Sequence, residues 1–227
     1  MSYDPRTIAF LAEVLFEPIQ LGSDTVQSIH NSLYQQPEIS YQNFQVAQDG
    51  IHLTNLPETP GSVSTATFLP DRLVLREELR GVTVEDFATR LVNVARITLD
   101  TLGIQSSYGQ QFVIRSLVTP RHVRDSREFL SHRMMAASGP NLHKLGRPIE
   151  GLGVRYTFPQ HEDQREVFNV RIETWNQDPR SIWLENVGQF DRPATSDNMP
   201  SLSDHLFSTY RFLTGPVCEF LADFDRA

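Results

Sequence analysis

The stretch Leu73-Val74-Leu75-Arg76-Glu77-Glu78-Leu79-Arg80, followed by Thr83 through Gly103, decides the fold. Leu73, Leu75, Glu77 and Leu79 alternate with Val74, Arg76, Glu78 and Arg80, the period of two that turns successive side chains to opposite faces of a strand. The period then lengthens. Val84, Phe87, Ala88, Leu91, Val94, Ala95, Thr98, Leu99 and Leu102 mark one helical face over about five turns. Thr83 with Asp86 three residues on is a capping-box-like start. Gly103 is the residue type that closes a helix in the left-handed conformation.

Towards the N-terminus, Ile8 to Phe16 reads as an apolar strand ended by Pro18. Ser23 and Asp24 offer N-cap oxygens for a helix through Tyr34, with Val26, Ile29, Leu33 and Tyr34 on its inner face. Pro37 stops that helix. Tyr41, Phe44 and Val46 lead to Asp49-Gly50, a two-residue hairpin signal of type I′. Ile51, Leu53 and Leu56 continue beyond it, and Val63 to Leu69 forms a further strand before the turn at Pro70-Asp71.

Towards the C-terminus the same order of elements recurs. Phe112 to Thr119 reads as a strand, and Asp125 to Ala137 as a short helix with Phe129, Leu130 and Met134 inward. Leu152 to Phe158, Val167 to Trp175 and Ile182 to Val187 read as strands. The closing helix, capped by Ser201 or Ser203, carries Leu206, Tyr210, Leu213, Val217, Phe220, Leu221 and Phe224 as its stripe. Gly215-Pro216 interrupts that stripe and predicts a kink or two abutting helices there. The expected fold is therefore α+β: a duplicated β-α-β(3-4)-α unit, with a curved, mainly antiparallel sheet and two long helices on one face. The halves are 1–109 and 110–227, packed as one continuous domain. The Asp49-Gly50 hairpin has no counterpart in the second half.

Composition sets the class. The chain has 227 residues, 39% hydrophobic and 21% charged, which suits a soluble globular protein with a sizeable core. Its start lacks the basic region and cleavage site of a signal peptide, and no apolar run reaches membrane-spanning length. A cytoplasmic protein with no membrane contact is the expectation. Cys218 is the only cysteine, which excludes an intrachain disulfide or a cysteine-based zinc site. A net charge of −8 argues against general attraction to nucleic acid.

Several short segments resemble an uncharacterised, sporadically distributed bacterial protein family. They are Glu13-Val14-Leu15-Phe16-Glu17-Pro18-Ile19, Phe112-Val113-Ile114-Arg115, Pro120 to Phe129, and His205 to Thr214. Ile114 stands where that family usually has asparagine. The resemblance implies a doubled α+β fold and carries no activity with it. The element order is also similar to the saddle-shaped TATA-binding-protein-like architecture, an analogy of fold alone.

No His-Glu-x-x-His, Gly-x-Ser-x-Gly or glycine-rich phosphate loop occurs. Gly151-Leu152-Gly153 precedes a strand, the wrong context for a phosphate cradle. Arg121, Arg124, Arg127, Arg133, Lys144 and Arg147 make one basic stretch against Asp125 and Glu128, with His122, His132 and His143 interspersed. It is the candidate partner- or anion-binding segment, set against a solvated face paired with the acidic remainder. Interleaved aromatics for stacking nucleic-acid bases are lacking. His161-Glu162-Asp163 and Asp204-His205 are weak metal candidates, and adjacent residues on a loop do not readily face one ion. Cys218 reads as a buried thiol, Trp175 and Trp183 as sheet packing, and Glu77-Glu78 and Glu13/Glu17 as carboxylate pairs without a placed partner. No catalytic residue, metal or cofactor is assigned. The leading expectation is a non-enzymatic protein-binding or assembly component that meets another protein or itself. The alternatives are a small-ligand or enzymatic domain with a pocket between sheet and helices, and nucleic-acid binding through 121–147.

Overall fold

The computed structural model describes residues 2–135, 143–162 and 164–226. They form an α+β fold around one antiparallel sheet of nine strands. In chain order these are β1 (Arg6–Leu15), β2 (Asn43–Ala47), β3 (Gly50–Thr54), β4 (Val63–Leu69), β5 (Arg72–Glu78), β6 (Gly109–Val118), β7 (Gly153–Phe158), β8 (Val167–Thr174) and β9 (Ile182–Phe190). Across the sheet they run β2-β3-β4-β5-β1-β6-β9-β8-β7. The strands before and after residue 109 thus meet where β1 pairs with β6, from Arg6 opposite Leu117 to Leu15 opposite Gly109.

The alternation read in Leu73 to Leu79 is realised in β5, where Leu73, Leu75 and Glu77 are buried and Val74, Arg76 and Glu78 face the other way. Phe10, Ala12 and Val14 of β1 lie on the same face as Phe112 and Ile114 of β6, with which β1 is in register. Helices pack there. α1 (Ser23–Tyr34) lies on β2 and β3, α2 (Val84–Leu102) on β1 and β5, and α4 (Pro200–Phe212) on β6 and β9. Phe87 of α2 stacks on Phe10 at 5.3 Å, and both are almost fully buried. Aromatic pairs of this kind add about 0.5–1.5 kcal/mol beyond their buried area.

α2 is capped as its sequence implies. Thr83 Oγ1 accepts from the Asp86 amide, and Gly103 takes φ 68° to close the last turn. Four local expectations are corrected. α1 is preceded by Gly22, with no side-chain cap, and Tyr34 is 65% exposed because the inner stripe ends at Leu33. The β2–β3 hairpin turns on Gln48-Asp49, since Ala47 pairs with Gly50. Only Gly50 has positive φ there, so the turn is not type I′. The closing helix starts at Pro200, after a 3₁₀ turn at Ser196–Asn198, and not behind a serine cap.

The last correction concerns helices that change pitch. α3 is one turn, Ser126–Glu128, capped by Asp125, and it continues as a π-helix over Phe129–Met134. Ala136 and Ala137 of the expected helix lie outside the described residues. The closing helix breaks where its stripe is interrupted, as Gly215-Pro216 implied: α4, then a π segment at Leu213–Val217, then α5 (Cys218–Phe224). The π segment sits on Gly215-Pro216, where proline lacks the amide needed to continue the α-helical ladder. Among the described residues no helix is long and apolar enough to cross a membrane.

Candidate functional site

The helix-to-sheet layer is filled by a continuous apolar core, and the cavities lie at its rim. The best organised of them sits where α4 crosses the end of β9. Phe190 closes β9 and stacks flat under the His205 ring at 4.2 Å. Gln110, the second residue of β6, is 2% exposed and reaches both neighbours. Its Nε2 donates to the Arg192 carbonyl at 2.6 Å and to Ser107 Oγ at 2.9 Å, so its Oε1 is the atom 3.0 Å from His205 Nδ1. An amide oxygen only accepts, so Nδ1 carries the proton and Nε2 keeps its lone pair. Burial, with the Arg192 guanidinium second, lowers the basicity of the ring and holds it neutral.

That ring borders a cavity of about 390 Å³, shared with Arg165, Glu166, Arg192, Ser201 and Asp204. Sequence reading passes over this site. His205 is visible beside Asp204, but its partners Gln110, Ser107 and Arg192 come from distant segments without a motif.

A second polar cluster is buried against α2. Glu77 is 2% exposed, accepts from Ser64 Oγ at 2.8 Å, and faces Arg80 and Arg90. Arg90 also lies over the Tyr41 ring at 5.3 Å and donates to the Glu38 carbonyl. Burial raises the Glu77 carboxyl against the pull of Arg90 and Ser64, and pushes the Tyr41 phenol up to about 12. Glu78 points to the opposite face of the sheet, so Glu77-Glu78 is not a catalytic carboxylate pair. Instead Glu78, Arg115, Glu185 and Arg171 form an ionic row across β5, β6, β9 and β8, with both arginines lying over Trp183.

The basic segment does not act as one patch through all its members. The Arg121 amide donates to Asp225 at 2.6 Å, its guanidinium donates to the Ser2 carbonyl, and it lies over the Tyr3 ring. Arg133 donates to the Arg226 carbonyl, and Arg127 pairs with Asp125. Arg121 and Arg133 thus fasten the C-terminal residues, and Arg127 serves its own turn. Arg124, Lys144 and Arg147 are exposed. His122 Nδ1 lies 2.9 Å from the Asp225 carbonyl, and His132 is exposed.

Asp163 lies outside the described residues, while His161 and Glu162 sit exposed on a tight turn closed by His161 and Gln164. Among the described residues no three His, Cys, Asp or Glu side chains converge as metal ligands. Cys218 is buried, which pushes its thiol up to about 12 and leaves little thiolate at neutral pH.

One surface stands out. β7 is the last strand of the sheet, and Tyr156 and Phe158 on it are 37% and 41% exposed. Phe220 of α5, 39% exposed, packs edge-on to Tyr156, and Phe158 packs edge-on to Phe212. No family model matches the chain, and no curated protein matches it.

Proposed function

We propose that this protein is a non-enzymatic assembly component of the cytoplasm whose contact surface is the β7 edge, and that its occupant is a second copy of the chain. The carrying observation is the aromatic row Tyr156, Phe158 and Phe220 beside a strand whose outer edge no described strand pairs with. Such an edge presents unpaired amides and carbonyls that template another strand. Natural edges are usually blunted by charge or proline, and Arg155 is the one charged residue of β7.

The strand is self-complementary in a register centred on Tyr156. Two antiparallel copies related by a two-fold axis set side chains of the same face opposite each other. Centring the pair on Tyr156 sets Val154 against Phe158, Arg155 against Thr157 and Tyr156 against Tyr156. Centring it on Arg155 would oppose two guanidinium groups. The apolar register is the favourable one.

The doubled origin of the chain belongs to the same reading. The mirrored sequence β5-β1-β6-β9 at the middle of the sheet supports two fused copies of one unit, consistent with kinship to the family that the motifs resemble. The four-strand run β2-β3-β4-β5 against β9-β8-β7 supports loss of one strand from the second unit, which would uncover β7.

Sedimentation at tens of micromolar tests the proposal. The expected result is a dimer, monomeric as Tyr156→Lys or as Tyr156→Glu, and dimeric again when the two variants are mixed. A monomeric wild type, or a dimer indifferent to both charges, overturns it. A dimer replaced by a tighter complex with a different protein also overturns the choice of occupant.

A further inference from the structure

The geometry points to the His205 cavity as a binding site for a small zwitterion of the amino-acid class, a property independent of the β7 edge. Three observations converge on it. The first is a hydrogen-bond acceptor of fixed direction. Gln110 is locked by the Arg192 carbonyl and Ser107, which commits His205 Nδ1 to donating, and Phe190 beneath the ring prevents it from tilting away. The remaining ring nitrogen, Nε2, has no partner among the described residues.

The second is the charge of the wall. Arg165, Arg192, Glu166, Asp191 and Asp204 line the cavity; Asp191 accepts from Gln160, and among the described residues none of the other four side chains is ion-paired or hydrogen-bonded. Some arginines beside carboxylates pair off, as Arg72 with Asp71 and Arg171 with Glu173 do, whereas Arg165, Arg192 and Asp204 stand exposed at the cavity mouth. Here two arginines and three carboxylates share a cavity, and of the five only Asp191 has a bonded partner among the described residues. A simple anion would meet Glu166 and Asp204 as well as the arginines, and a simple cation would meet the reverse. A ligand bearing both charges meets groups of opposite sign at each end.

The third is size. About 390 Å³ lies at the lower end of small-molecule sites and takes an amino acid with some ordered water. In the bound state the ammonium group donates one N–H to His205 Nε2 and is flanked by Glu166 and Asp204. The carboxylate is met by Arg192 and Arg165, while the Ser201 hydroxyl is already donated to the Asn198 carbonyl. A neutral imidazole suits this role, because an imidazolium would repel the ammonium group.

Isothermal titration of the full chain with the standard amino acids, one at a time, tests the inference. Acetate, inorganic phosphate and ethylamine serve as single-charge probes. At least one amino acid is expected to bind saturably while all three probes do not. Arg192→Ala and Glu166→Gln replace side chains that hold no intramolecular bond, so both variants keep the fold. Each is expected to weaken binding by about tenfold or more, the scale of one charged hydrogen bond. His205→Phe keeps the stack on Phe190 and removes the acceptor, with a similar loss. The inference is overturned if no amino acid binds at millimolar concentration. It is equally overturned if a single-charge probe binds as tightly, or if both arms can be removed without effect.

Discussion

The Tyr3 phenol donates a 2.6 Å hydrogen bond to the carboxylate of Asp225, 222 positions away. The same carboxylate accepts the backbone amides of Arg121 and His122 at 2.6 and 3.1 Å. One buried anion therefore joins both chain ends to the turn after β6. Asp225→Ala leaves those donors without an acceptor and is expected to cost about 1.5–3 kcal/mol, with Tyr3→Phe costing about 1 kcal/mol. Urea denaturation measures both, and a change within error for Asp225→Ala would show the lock to be idle.

Burial opposes ionisation of Asp225, but the bonds from Tyr3, Arg121 and His122 outweigh it and hold its carboxyl below the usual range. A depressed native value means that the folded chain binds this proton less readily than the unfolded one. The stabilisation is complete above about pH 4, where an unfolded aspartate titrates, and disappears as pH falls through the native value. Wild type should lose more stability than Asp225→Asn over that acidic window. Parallel acid dependence in the two proteins would remove the assignment.

Glu77 has the opposite sign. Burial raises its carboxyl, so the native chain holds this proton more tightly. Its contribution is present below about pH 4.3 and declines as pH rises through the native value. Glu77→Ala leaves Arg80 with Glu58 and Arg90 with the Glu38 carbonyl, and loss of the shared carboxylate is expected to cost about 1–3 kcal/mol. Glu77→Gln, which cannot ionise, should abolish the decline. Denaturant midpoints across the carboxylate range check both statements.

Gly188 of β9 lies directly beneath α4. A Cβ there would overlap Thr209 Oγ1 and come within 3.1 Å of Thr209 Cβ and Phe190 Cε2. Gly188→Ala should destabilise by about 1–3 kcal/mol through overpacking. Pairing it with Thr209→Ala should recover part of that loss, since the nearest atom is gone. A double-mutant cycle read by thermal unfolding reports the coupling, and strict additivity would place the strain elsewhere.

Arg115 joins Glu78 at 3.0 Å and Glu185 at 2.8 Å while lying over Trp183. Lysine cannot hold both carboxylates and stack with a planar group. Arg115→Lys should therefore cost about 1–2 kcal/mol and change the Trp183 fluorescence. An unchanged spectrum would mean that the stack does not persist in solution.

What the residues disclosed beforehand follows from the range of the forces involved. α2 was legible because its cap, stripe and closing glycine act within one helix, and β5 because alternation is a property of one strand. The Gln48-Asp49 turn was misplaced by one position, since Asp49-Gly50 fits a type I′ turn equally well until strand register is known. Phe220 read as core because its spacing matches the helical stripe, and only the π segment explains why it ends beside β7 at the surface. The His205 site was illegible for another reason. Gln110 sets the tautomer from 95 positions away, and nothing local distinguishes that glutamine from any other.

The pairing of β1 with β6 has a consequence during synthesis. β1 leaves the ribosome before its partner β6, which follows about 100 residues later, roughly 5–20 s at ordinary elongation rates. Until β6 arrives, β5 is the one strand that can pair with β1, and its other edge is open. The future midline of the sheet is therefore an open edge that must stay unpaired until β6 follows it.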